Sequence, residues 1–270
     1  MTTSIMKNKT WARHRGLSLL LAAGFWLAVW EAASLAVDLE LLLPSPIRVA
    51  ERLASLAGQA DFWASAGGSM ARIFLGFTAA LLLGTAGAAL SFRLTAAEAL
   101  LRPVLRIVKA TPVASFIILA LVWIPSPGVP VFTSFLMVFP IVFENVLSGM
   151  RHTDRQLLEM GRMFRLSRAA LFRQIYAPSL APYLSAACAT GLGLAWKAGV
   201  AAEVLANTRL SLGGKIYAAK IYLETPDLFA WTAVVIAMSV ALEKLVSLAL
   251  RRVLSSRQPE ASHADRATSD

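Results

Sequence analysis

The chain has 270 residues, 57% of them hydrophobic and only 16% charged, with a formal net charge of +10 and a mean hydropathy of +0.62. Soluble domains rarely combine such apolarity with so few charges, which argues against a water-soluble enzyme and for an integral membrane protein. Nor does the positive charge point to nucleic acid: the basic residues gather in a few loops and tails between apolar runs, the distribution that orients a membrane chain, and no aromatic-interleaved basic patch stands outside those runs.

Residues 1–16 carry Lys7, Lys9, Arg13 and Arg15 and no acid, which predicts a cytoplasmic tail. The first span, 17–37, is longer than a signal-peptide core and lacks a small-residue cleavage site, so it reads as an anchor that stays. Residues 38–65 form an outside segment. There Leu43-Pro44-Ser45-Pro46 sets an extended entry. Ser45 is placed to cap a short amphipathic helix with Pro46 at its first position and Ile47, Val49, Leu53 and Leu56 on its apolar side. In the second span, 66–92, Gly76, Ala80, Gly84 and Gly87 recur at three and four residues, a stripe that lets helices approach closely in lipid.

The loop 93–102 is expected to be cytoplasmic, with Arg106 and Lys109 extending its basic border. Residues 110–150 are almost all apolar, enough for two spans, and Pro125-Ser126-Pro127-Gly128 is the break. The third span is therefore 103–124 and the fourth 129–150, with kinks expected at Pro112 and Pro140. Segment 151–182 is the longest polar interruption, with six arginines and two carboxylates. Its pattern predicts one helix over about 153–165, capped by Asp154 or Thr153, and a second over about 167–177, capped by Ser167 and stopped by Pro178. A fifth span follows over 183–206. Residues 207–228 return outside, turning at Gly213-Gly214, and a sixth span over 229–250 ends at Arg251 and Arg252. The tail 251–270 is polar and expected to be disordered. The last outside loop, with Arg209, Lys215 and Lys220 against Glu224 and Asp227, is mildly basic on the wrong side, while the inside loops are more basic. The expected fold is an all-α integral membrane protein with six transmembrane helices and both termini cytoplasmic.

No catalytic or metal constellation is visible. Cys188 is the only cysteine, so no internal disulfide can form, and His14, His152 and His263 lie far apart. Gly213-Gly214-Lys215 is followed by Ile216 and does not make a phosphate-binding loop. The chain therefore reads as non-catalytic, with no cofactor of its own.

Within 151–182, Glu159-Met160-Gly161, Arg165 and Ile175-Tyr176-Ala177-Pro178 align without a gap on the cytoplasmic motif of permease subunits of ATP-binding-cassette importers. That motif reads Glu-Ala-Ala, three residues, Gly, nine residues, Ile-x-Leu-Pro. The chain resembles this family, and Leu43-Pro44-Ser45-Pro46, Ser69…Arg72…Gly76-Phe77, Thr111-Pro112-Val113-Ala114 and Trp196…Glu203 look like its branch that imports sulfonates, taurine, nitrate and related nutrients. The resemblance implies a type I importer permease domain over about 62–250, located in a bacterial inner membrane. It implies a dimer of identical permeases, a cytoplasmic ATPase dimer and an extracytoplasmic binding protein that delivers the substrate. It also implies that Glu159, Met160, Gly161, Phe164, Arg165, Leu166, Ser167, Ile175 and Pro178 form the element that couples to the ATPase. Arg165 departs from the motif's glycine. A left-handed turn there costs another residue on the order of 1 kcal/mol, so either the turn is built differently or the cost is accepted.

Lys197, beside Trp196 and six residues before Glu203, lies in the fifth apolar run, where ionisable groups are functional candidates. These three are the pathway candidates. Six residues turn a helix by about 600°, so Lys197 and Glu203 do not share a face. Either Lys197 lines the pathway and attracts an anionic substrate, or it pairs with Glu144, Glu203 or backbone carbonyls. The alternative to an importer permease is a self-contained secondary transporter, which predicts inverted repeats; the two halves show no internal similarity.

Overall fold

The structure, a computed structural model, describes residues 7–255, and every regular element among them is helical. In chain order these are α1 (Lys7–Val37), α2 (Pro46–Ala57), α3 (Ala60–Arg93), α4 (Thr95–Ala110), α5 (Val113–Ala120), α6 (Val129–Arg151), α7 (Arg155–Met163), α8 (Arg168–Leu171), α9 (Ala177–Leu205), α10 (Leu212–Ile221) and α11 (Thr225–Ser255). A π-helical turn, Phe172–Tyr176, joins α8 to α9. Among the described residues four helices are long and apolar enough to cross a membrane, and a fifth span results if the bent pair α4 and α5 is counted as one. The tail expected over 251–270 lies outside the described residues from 256 onward, as do residues 1–6.

The chain divides into two compact units. In the first, which takes in the residues up to Phe62 and Ile216–Ala233, side chains pin the turn that leads into α2. Trp30 Nε1 donates to the Pro44 carbonyl at 3.1 Å, Ser34 Oγ to that of Leu43 at 2.9 Å, and Thr225 Oγ1 to that of Leu41 at 2.6 Å. Ser45 caps α2 by accepting from the Arg48 amide, with Pro46 at the first position. Val49 and Leu56 are buried and Leu53 half-buried, but Ile47 is exposed, so the apolar side of α2 is narrower than the sequence suggested. Arg52 makes a fork-like pair with Asp227, with Nη2 2.9 Å from Oδ2.

The second unit, Trp63–Lys215 with the chain from Val234 on, is built on α3, α6 and α9. The small-residue stripe of α3 does what its spacing implies. At Gly76 an added Cβ would run into the Val131 carbonyl and within 2.9 Å of Ser134 Cβ, so α3 and α6 touch backbone to backbone there. Ala80 is fully buried and Gly84 abuts Val142. Gly191 and Gly199 of α9 meet Val138 and Ser134 of α6. Val138, Val142, Phe143, Ala195 and Trp196 close the core between them.

Three expectations are corrected. The third span, expected over 103–124 with a kink at Pro112, is broken there outright: α4 already starts at Thr95, within the expected loop 93–102, and ends at Ala110, and α5 leaves at 105°. Pro112 excludes the helical region for Thr111, which is extended (φ −87°, ψ 133°), and it has no N–H to continue the ladder. The second helix of segment 151–182 does not stop at Pro178. It passes through the π turn into α9, where Pro178 lies in the first turn and Pro182 in the interior. The widened turn gives room for the carbonyls a proline ring would strike, and Ser179 Oγ takes the Ile175 carbonyl at 2.8 Å. Finally, Gly213-Gly214 is not a turn but the start of α10.

Candidate functional site

Two groups of predicted residues come together in the second unit, at opposite ends of α9. The first is segment 151–182. Asp154 caps α7 by accepting from the Gln156 amide at 2.8 Å, and Ser167 caps α8 through the Ala170 amide at 3.2 Å. Between them Arg165 adopts φ 52°. The Leu166 amide donates to the Gly161 carbonyl and the Arg165 amide to that of Arg162, both at 3.0 Å. These are the two bonds of a Schellman termination, with Arg165 at the left-handed position. The helix–turn–helix that a glycine would allow is therefore built with an arginine, at a cost of about 1 kcal/mol. Gly161 is buried, and a Cβ there would come within 2.8 Å of Leu171 and 3.0 Å of Ile175. Losing the methyl of the motif's second alanine lets α7 sit directly on the π turn.

This packing sorts the predicted positions. Gly161, Ile175 and the half-buried Leu166 hold the turn together, whereas Glu159, Met160, Phe164, Arg165, Ser167 and Pro178 are exposed. Met163, not among the predicted positions, is 84% exposed beside Phe164 at 75%. Two large apolar side chains thus stand out from a braced polar loop. The clue was available, since Met163 falls on the outer face of the predicted helix.

The second group surrounds Glu203. Its carboxylate is completely buried and all its oxygens are engaged. Oε1 receives Arg72 Nε at 3.2 Å and Nη2 at 3.1 Å, and Oε2 receives Ser69 Oγ at 2.7 Å and the Gly213 amide at 3.2 Å. Ser69 Oγ in turn accepts from the Leu212 amide at 2.8 Å, and Arg72 Nη2 donates to the Leu210 carbonyl at 2.8 Å. Two side chains remote in sequence thus take up the first free amides of α10, and the carboxylate lies at the positive end of that helix. Glu203 is a clasp that holds the 208–214 segment on α3. Trp196 is also buried, its Nε1 donating to the Val235 carbonyl at 3.1 Å.

Lys197 alone of the three pathway candidates is exposed. Its pairing with Glu144 or Glu203 is overturned: Glu144 binds Lys109 Nζ through both oxygens at 2.9 Å, and Glu203 binds Arg72. Among the described residues Lys197 has no ion-pair partner. In the sequence Lys109 reads only as a border charge, and the pair is not visible. The two residues are 35 positions apart, with a sharp helix break between them.

A family model described as the binding-protein-dependent transport system inner membrane component matches residues 73–258. The chain belongs to this family. It is a membrane component of ABC-type transport, and its relatives are transport permease proteins. The chain is 28% identical over 224 residues to the taurine transport system permease protein TauC of Escherichia coli (strain K12), covering 79% of this chain and 80% of the relative. To the riboflavin transport system permease protein RibX of Chloroflexus aurantiacus it is 28% identical over 239 residues, covering 88% and 87%. To the nitrate import permease protein NrtB of Synechocystis sp. it is 27% identical over 175 residues, covering 60% and 63%. In fold it matches the crystal structure of an amino acid ABC transporter with a TM-score of 0.61 at 17% identity, covering 74% of this chain and 97% of that one.

Proposed function

We propose that this permease forms, as a dimer with six spans per subunit, the pathway of an ATP-driven importer of a small nutrient of the sulfonate, taurine or nitrate kind. In this reading the 151–182 loop faces the cytoplasm and docks on a separate ATPase, and a binding protein delivers the substrate on the other side. The observation that carries it is the braced α7–α8 turn with Met160, Met163 and Phe164 exposed. Its left-handed corner falls on the motif position at Arg165. Rigid bracing matters because a coupling element must transmit displacement rather than absorb it. α9, with 29 residues, is about 43 Å long and serves as the fifth span although Lys197 and Glu203 lower its hydropathy. Lys197, exposed on that helix and without an ion-pair partner among the described residues, supports an anionic cargo.

The test is assembly and transport by the permease produced together with its partner ATPase and binding protein. Glu159→Arg and Phe164→Asp should each abolish ATPase stimulation by the loaded binding protein while the permease still inserts. Full stimulation in both variants would remove the coupling assignment.

A further inference from the structure

We propose that the Lys109–Glu144 ion pair is a charge gate in the transport pathway, in which Glu144 occupies the cation that a small anionic cargo contacts in transit. This rests on the permease reading above. Glu144 lies on α6 seven residues before its end at Arg151, about 10 Å along the axis, and Lys109 is the penultimate residue of α4. Both side chains are half-exposed, at 54% and 53%. Charges at that depth avoid lipid and face protein or a water-filled cavity.

The surroundings show which. Two hollows, of about 470 and 360 Å³, open on this face of the second unit, and Lys109 and Glu144 are the two residues that line both. The larger, toward Arg151, also carries Arg102, Arg106 and His152. Glu98 neutralises part of that charge through Arg102 and Arg151, while Arg106 has no ion-pair partner among the described residues. The smaller hollow has no other charged lining, only polar groups such as Thr111 and Asn145 among apolar ones, with Leu194 of α9 on its wall. Lys197 follows Leu194 by three residues, which places it next to that wall residue on the helix surface.

The cations therefore form a series: Lys197, Lys109, then Arg106. Its middle member is held by a carboxylate with two oxygens at equal 2.9 Å distances, the arrangement a sulfonate, nitrate or carboxylate would offer. The exchange is one oxyanion for another on the same ammonium. A half-exposed pair is cheap to separate, unlike the buried Arg72–Glu203 clasp. Lys109 also stands two residues before the Thr111-Pro112 break, so movement of α4 against α6 would part it from Glu144.

A structural staple and a gate predict different signs. In proteoliposomes holding the complete transporter and loaded with sodium nitrate, without ATP, Glu144→Gln should raise nitrate efflux at least tenfold, because the cation is left free. Lys109→Gln and the double variant should leave efflux at the wild-type level, because the anion contact is gone. Glu144→Asp, should Glu144→Gln fail to assemble, should leak to an intermediate extent. Equal leakage from the two single variants, or none from any assembled Glu144 variant, would overturn the gate. Stimulation of ATPase activity by the binding protein in the wild-type vesicles reports separately on the permease reading, so the two failures are told apart.

Discussion

Arg72 and Glu203, 131 positions apart, meet through two hydrogen bonds to one carboxylate oxygen, and the same guanidinium holds the Leu210 carbonyl. The pair joins α3 to the end of α9 and anchors the start of α10. Removing one partner of such a buried pair leaves an uncompensated charge, at a cost of about 3–5 kcal/mol. Arg72→Met should therefore lower the thermal unfolding temperature of the detergent-solubilised protein severely. The double variant Arg72→Met, Glu203→Met should recover much of the loss. A double variant no better than the single one would contradict this account.

Arg165 at φ 52° makes the opposite prediction, of tolerance. Arg165→Gly relieves about 1 kcal/mol of strain but adds freedom to the unfolded chain, so the unfolding temperature should hardly change. Arg165→Val, whose branched side chain is a poor fit to that region, should destabilise by more than 1 kcal/mol. Thermal scans of the two variants side by side check the contrast.

Gly76 has no room for a side chain against the Val131 carbonyl and Ser134. Gly76→Val should separate α3 from α6, at a cost of about 1–3 kcal/mol or more. Gly67, which an added Cβ would leave free of contacts within 4 Å, is the control: Gly67→Ala should be silent. Yield of monodisperse protein in detergent distinguishes them.

Glu98 carries the pH prediction. Burial pushes its carboxyl up, but the Arg102 and Arg151 guanidiniums outweigh this and hold it below its ordinary value of 4.5. Its folded pKa is thus the lower one. The stability it contributes is present above about pH 4.5 and is lost as the pH falls through the folded value. Glu98→Gln should lower the neutral plateau and flatten the acid limb, so that the two curves converge once Glu98 is protonated, measured by unfolding temperature between pH 3 and 7.

Composition, proline placement and spacing determined the helical class, the membrane environment, the caps at Ser45, Asp154 and Ser167 and the close-packing stripe of α3; the address of the proposed coupling motif came from resemblance to a known family. All of these are local: a cap needs one side chain within three residues, and a stripe needs only helical periodicity. Tertiary structure decided what depends on a partner remote in the chain. It placed Glu203 in a clasp, because Ser69 and Arg72 reach it from α3. Among the described residues it left Lys197 without an ion-pair partner, Glu144 being held by Lys109 across a 105° break. It also settled the corner at Arg165, where the sequence allowed either a different turn or an accepted cost. The packing of Leu171 and Ile175 on Gly161 favours the left-handed turn enough to offset the strain.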